Sequence, residues 1–487
     1  MWQCDRGLIM NVLFILADQH NPSFTGCYGG ITRTPNLDQL AKEGTKFEYA
    51  YTPSPICSPA RACLFSGRYV YQNKCWDNCF PYDGEAIPGW GHYFRKRGVH
   101  LATIGKLDFA AGKDNGVDST YKPDDRTSYD AVSLFRTRPL LSRPKYHLVN
   151  NWDVSLRESS EHFEQDIVSE AVRWINEERP ENKPWILNVN FSKPHSPWHA
   201  LPEKYKYYRD KINLKEKYLQ PENVLHEVDR EQSRHNMGYA FDIEHVKDCH
   251  AAYNAIVEEH DENVGAVIKS LKDAGIYEDT LIIYSADHGE MLRAHGAWEK
   301  FSMYEDSIRI PMIIKYPKNV GCKCVSTPVS LIDVFPTINQ ALGFEAQEQF
   351  EGESVINLIQ NGDGSARNPV FSESHSNGRI TGCFAIRSGK WKYIHYEYYE
   401  PLLFDLENDP QELNNLADKN KKDPYINNVI LELESILNEK IDTDKVTEQA
   451  FIDQENLKQE LNASGQLKKE LAKRGFSYDG KNLYYLP

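Results

Sequence analysis

Two unbroken apolar runs, Asn11-Val12-Leu13-Phe14-Ile15-Leu16-Ala17 and Leu281-Ile282-Ile283-Tyr284-Ser285-Ala286, have the pattern of strands buried on both faces. Each stops at an acid, the first at Asp18-Gln19 and the second at Asp287-His288-Gly289. In an open α/β sheet, sites form along the carboxyl ends of such strands. Asp18, Asp287 and His288 are therefore expected to meet at one edge. The alternation continues to about residue 342: 185–190 and 308–314 read as strands, while 163–175 and 251–274 have helical periodicity. The pattern predicts a large, mostly parallel central sheet flanked by helices.

After a polar segment at 360–368 the pattern changes to short strands at close spacing: 370–374, 383–387, 391–395 and 402–405. These predict a small antiparallel sheet, followed by a turn at Glu407-Asn408-Asp409-Pro410 and an amphipathic helix at 426–441. The chain thus divides into a catalytic domain, 1–359, and a smaller α+β subdomain, 360–487. Two stretches, 112–149 and 201–245, are polar and read as irregular; insertions of that kind carry specificity.

With 487 residues, 40% of them apolar, there is ample material for a packed core. The net charge of -15, with no run of Lys or Arg, excludes nucleic acid as a partner. An anionic substrate would need a local basic pocket. No segment approaches the ~18 apolar residues of a membrane span, and no signal sequence precedes the first strand. The ten Cys residues form no disulfide framework and fit reduced thiols in a cytoplasmic protein; a zinc site built on Cys75-x3-Cys79 or Cys322-x-Cys324 lacks a suitably spaced His. The oligomeric state stays open.

Cys57-Ser58-Pro59-Ala60-Arg61 combines a Cys with Pro two places on and Arg four places on. With 11–15, Gly105-Lys106, Lys193-Pro194-His195, Asp287-His288-Gly289 and Trp298-Glu299-Lys300, it resembles the sulfatase family in order and spacing over nearly the whole chain. The resemblance implies an alkaline-phosphatase-like fold, one divalent cation, and hydrolysis of sulfate esters by a formylglycine (3-oxoalanine) that a maturase makes from Cys57. Gly105-Lys106-Leu107-Asp108-Phe109, 300–305 and 391–394 look like the glucuronate-2-sulfatase branch. That narrows the substrate to a sulfated saccharide, with a uronate 2-O-sulfate of glycosaminoglycan fragments as the leading expectation.

The same resemblance implies that Asp18, Gln19, Asp287, His288 and an oxygen on the modified Cys57 hold the metal. Oxygen ligands suit calcium or magnesium, whereas an imidazole in the set leaves manganese or zinc open. Gln19 stands where most of the family has a second Asp, a departure shared with phosphonate and phosphodiester hydrolases of the same superfamily. It is either a ligand or a structural neighbour. Arg61, one turn beyond Cys57, is expected to hold the nucleophile ionised. Lys106 and Lys300 are expected to neutralise the sulfate, and His195 to assist the leaving alcohol. Many relatives have a His at the place of Asp108, so the group that regenerates the aldehyde is Asp108, another His or water. Two competing readings remain: a phosphonate or phosphodiester hydrolase with the same nucleophile, and a silent carbohydrate-binding protein in which Cys57 stays a thiol.

Overall fold

The structure, a computed structural model, describes residues 10–136, 155–157, 162–221, 224–236, 242–317, 324–364, 367–418, 423–479 and 483–485. Cys322 and a large part of the 112–149 insertion lie outside the described residues. A nine-stranded sheet runs in the order Cys324–Val325, Thr45–Tyr51, Arg309–Lys315, Thr280–Ala286, Asn11–Asp18, Trp185–Pro194, His100–Gly105 and Ser119–Tyr121. Val329–Ser330 also pairs with Thr45–Tyr51. Arg309–Lys315 is antiparallel to both its neighbours, and the other pairings are parallel. Val12 to Ala17 are fully buried, as the continuous apolar run requires of a strand covered on both faces.

Helices form those covers. Cys57–Ser66, Trp90–Arg95 and Val334–Ala341 pack together on one side, where Phe335 meets Phe14 at 6.3 Å and Phe65 at 5.3 Å between ring centres. Ile243–Asp273, His162–Arg173 and Pro35–Glu43 form the other layer. Each core side chain so enclosed contributes about 1.5–3 kcal/mol.

A second, antiparallel sheet has the order Val370–Ser374, Cys383–Ser388, Trp391–Tyr396 and Leu402–Asp405. Alternation along its strands sorts the faces. Phe371, Phe384, Ile386, Tyr393 and Leu403 pack with Val429, Leu433 and Leu437 of the Pro424–Lys440 helix, and with Cys63, Tyr69 and Trp76 near the Cys57–Ser66 helix. The opposite face carries Cys383, Ala385, Ile394 and Phe404 onto Tyr51, Met303 and Tyr304. The protein therefore has a mostly parallel central sheet flanked by helices and a C-terminal antiparallel sheet.

The structure differs from the sequence reading in two segments. The stretch 201–245 is helical over Pro202–Arg209, Glu216–Leu219 and Glu227–Asn236, because each short helix anchors one apolar residue, Tyr208, Tyr218 or Val228, in a buried cluster. The helix read from residue 251 starts at Ile243, where Asp242 caps it by accepting the His245 N–H at 2.8 Å. Its polar first turns are held by Arg209 through Glu244 and Asp248. No disulfide links the described cysteines. Among the described residues, no helix is long and apolar enough to cross a membrane.

Gly105 ends its strand at φ 85°, and a Cβ there would lie 2.1 Å from the Asn190 carbonyl oxygen. Lys106 donates its N–H to that same oxygen at 3.1 Å, so the glycine lets the chain turn Lys106 towards the sheet edge. Gly105→Ala is expected to cost about 2–4 kcal/mol in urea unfolding, and a change below about 0.5 kcal/mol would contradict this account.

Candidate active site

Four adjacent parallel strands, Thr280–Ala286, Asn11–Asp18, Trp185–Pro194 and His100–Gly105, run out at one edge in nearly common register: Ala17 lies beside Ala286, Asp18 beside Pro194, and Gly105 beside Asn190. The residues that follow are Asp287-His288, Gln19, His195 and Lys106. Cys57 joins them as the first residue of the Cys57–Ser66 helix, whose ten residues are all buried. Two cis peptides, Lys193-Pro194 and Ser196-Pro197, bracket His195. Lys193 Nζ donates to the His195 and Pro197 carbonyls at 3.3 and 3.0 Å.

Asp18, Cys57, Asp287 and His288 each turn one ligand atom inward, all within 4.8 Å of one another. Cys57 Sγ is 3.2 Å from His288 Nε2 and 3.8 Å from Asp18 Oδ1. His288 Nδ1 donates to the Gly289 carbonyl at 3.0 Å, so that Nε2 is the nitrogen facing the centre. Asp287 Oδ1 accepts the N–H groups of Gln19 and His288 at 3.1 and 2.9 Å. Two buried carboxylates and a correctly presented imidazole fit one divalent cation.

Cations surround this acidic core. Arg61, buried and one turn along the helix, donates from Nε to Asp287 Oδ2 at 2.9 Å and from Nη1 to the Lys106 carbonyl, while its Nη2 lies 3.7 Å from Asp18. Lys106 Nζ bonds Asp18 Oδ2. Lys300 Nζ has three acceptors around it: Gln19 Oε1 at 2.5 Å, His195 Nε2 at 2.9 Å and Cys57 Sγ at 3.3 Å.

Burial opposes charge at every one of these groups, so their partners decide the outcome. Burial and Asp18 push the Cys57 thiol up, but Lys106, Lys300 and His288 prevail and bring it down to about 6. Asp18 is held well below the usual carboxylate range, against burial, chiefly by Lys106, with Lys300 and Arg61 beside it. Burial and the neighbouring Asp18 push Asp287 up. Burial, with Lys300 beside it, lowers His195 to about 3. His195 is thus a neutral imidazole that donates from Nδ1 to the Ser196 carbonyl at 2.6 Å and accepts at Nε2 from Lys300.

Every residue singled out from the sequence lies at this edge, but Asp108 is held between two cations. It pairs with Arg126 Nε at 2.8 Å and Lys106 Nζ at 3.5 Å, and these two cations hold its carboxyl below the usual range against burial. Two nearby groups were missed. Arg126 comes from the 112–149 insertion and has no motif around it. Glu290 directly follows Asp287-His288-Gly289, and its adjacency was the available signal. It is fully buried and accepts from Gln19 Nε2. Burial pushes its carboxyl up to about 8.

Removing a charged ligand should weaken metal binding directly. Asp18→Asn is expected to raise the Ca2+ Kd at least about tenfold in isothermal titration calorimetry; an unchanged Kd would separate Asp18 from the metal.

The sulfatase family profile matches residues 10–344, and the profile described as N-sulphoglucosamine sulphohydrolase, C-terminal, matches 293–441. The chain is 31% identical over 434 residues to the choline-sulfatase of Rhizobium meliloti (strain 1021), spanning 84% of this chain and 82% of that protein. It is 28% identical over 441 residues to arylsulfatase K of Bos taurus, spanning 84% and 78%. Among solved structures, the phosphonate monoester hydrolase of Agrobacterium radiobacter superposes with a TM-score of 0.71 at 22% identity, covering 98% of this chain and 99% of the other. A protein bound to its substrate D-glucosamine-2-N,6-O-disulfate superposes with a TM-score of 0.70 at 20% identity, covering 90% and 99%. Both share the alkaline-phosphatase-like fold with this chain. With a family match over most of its length and a relative at 31% identity, the chain belongs to the sulfatase family and is a sulfuric ester hydrolase.

Proposed function

We propose that this sulfatase removes a 2-O-sulfate from a uronate-containing saccharide, using formylglycine made from Cys57. The observation that carries the reaction is Cys57 itself, at a helix N-terminus with Lys300 and His288 within 3.3 Å and Lys106 on the adjoining Asp18. Oxidised to formylglycine, residue 57 supplies a hydrate hydroxyl as the nucleophile. Asp18, Asp287 and His288, with Gln19 beside them, would hold the cation, calcium by preference, which would supply polarisation of the nucleophile and neutralise charge.

The remaining steps fall to the chain's own groups. Arg61 presents its Nη2, which has no hydrogen-bond partner, towards Asp18 and the reacting centre and balances the two carboxylates there. Lys106 and Lys300 converge on the position of the transferring group and stabilise its charge in a water-poor pocket. His195 and Lys300 share a hydrogen-bonded proton at 2.9 Å, which the pair can turn towards the leaving sugar oxygen. Asp108 is a poor base between its two cations, and its part is to orient Lys106.

The uronate preference rests on the likeness of 105–109, 300–305 and 391–394 to the glucuronate-2-sulfatase branch and on the 28% identity to arylsulfatase K.

The test compares kcat/KM for a 2-sulfated uronate disaccharide, choline sulfate and an aryl phosphonate. The disaccharide is expected to lead; a lead for choline sulfate would overturn the uronate assignment, and one for the phosphonate would move the chain to the phosphonate hydrolases. Lys106→Ala and Lys300→Ala are each expected to lower kcat/KM about 10²–10³-fold on the best substrate.

Maturation yields a separate expectation. Because Cys57, Pro59 and Arg61 are enclosed in the folded chain, a maturase should convert Cys57 in the unfolded protein but not in the folded one. Mass spectrometry of the Cys57 peptide reads this as a product about 18 Da lighter. Efficient conversion of folded protein would contradict it, and a Cys57 left as thiol in active cells would favour the binding-protein reading.

A further inference from the structure

Glu290 has hydrogen-bond donors on both oxygens of its carboxyl. Oε1 accepts the backbone N–H of Leu292 at 2.7 Å and of Glu299 at 2.8 Å, and Oε2 accepts from Gln19 Nε2. Gln19 in turn is fixed through its backbone. It sits in the left-handed region at φ 65°, its N–H bonds Asp287 Oδ1 at 3.1 Å, and its carbonyl accepts from Tyr253 Oη at 2.6 Å. The freedom left to Gln19 is which way its amide faces.

Donor and acceptor chemistry settles that direction. A Lys ammonium only donates. Burial pushes the Glu290 carboxyl up, but with N–H donors on both of its oxygens it is the acceptor here. With Glu290 on one side and Lys300 on the other, Gln19 makes both bonds only with its NH2 on Glu290 and its oxygen on Lys300, the arrangement seen. Lys300 then spends its three protons on Gln19, His195 and Cys57. An inverted amide would set an NH2 against an ammonium inside a buried site, where an unmatched donor is costly.

We propose that Glu290 is a positioning residue: by locking the Gln19 amide, it aims the Lys300 ammonium at the nucleophile and at His195. The inference rests on the reading of Lys300 as the charge that meets the sulfate group. It also gives a reason for an amide, in place of a second acid, at position 19, since two carboxylates could not bond each other there without a shared proton.

Glu290→Gln tests this closely. The replacement amide keeps an oxygen for Leu292 and Glu299 but turns an NH2 on Gln19, which must then invert. Adding Gln19→Glu restores an oxygen towards both partners. Mature, metal-loaded protein is titrated with inorganic sulfate by calorimetry, and kcat/KM is measured on an aryl sulfate. Glu290→Gln is expected to weaken sulfate binding about tenfold and lower kcat/KM about 30-fold, with the thermal midpoint nearly unchanged. The double variant should return to within about threefold of wild type on sulfate binding. In a Lys300→Ala background, Glu290→Gln should cost less than about twofold.

Wild-type sulfate affinity in Glu290→Gln, while Lys300→Ala binds weakly, would overturn the positioning role alone. Equal losses with and without Lys300 would do the same. Wild-type affinity in Lys300→Ala would remove the Lys300 reading and this inference with it. Should Glu290→Gln fail to fold, the double variant decides: folded and binding sulfate, it supports the proposal; folded and not binding, it overturns it.

Discussion

The parallel pairing of Asn11–Asp18 between Thr280–Ala286 and Trp185–Pro194 is the constraint on which the site depends. Neighbouring strands lie about 4.8 Å apart. When two of them end together, the groups just beyond are brought to ligand spacing without any loop having to find it. Asp18 and Asp287 are separated by 269 positions in sequence but follow the adjacent residues Ala17 and Ala286. The apolar cores of these strands, covered by helices on both faces, give the edge its rigidity. A site built on strand ends inherits the precision of the sheet.

That placement forces two acids together in a buried volume, a cost only met by opposite charge. Arg61, Lys106 and Lys300 provide it, and each also borders the space where an anion must lie. On the proposed mechanism the same three cations serve both the folded state and the chemistry. This is how a chain of net charge -15 presents a basic pocket: the excess acid lies elsewhere, and the compensation is local.

Much of this was legible in the sequence, for identifiable reasons. Strands buried on both faces are continuous apolar runs, so 11–17 and 281–286 announced themselves along with their terminal acids. The second sheet was legible because its short apolar strands follow one another at close spacing. Cys57 and Arg61 were carried by a local motif. Arg126 was not legible, because its meeting with Asp108 depends on how an insertion folds back over the strand ends. Glu290 was overlooked because an acid after a glycine is usually solvated; only the tertiary contact with Gln19 and the Glu299 N–H reveals it as enclosed. The helices within 201–245 were hidden by polar composition, each having a single buried anchor.

The order of the strands in the chain has a temporal consequence. Cys57 leaves the ribosome early, but the strand that completes its surroundings, Thr280–Ala286, and Lys300 behind it, follow more than 200 residues later. At about 5–20 residues per second, that interval lasts on the order of tens of seconds. During it the sheet edge around Cys57 is incomplete, since Asn11–Asp18 lacks one of its two partner strands. If Cys57 is converted as proposed, the sheet topology acts as a clock: the period in which the nucleophile is installed is written into the distance between two strands that end side by side.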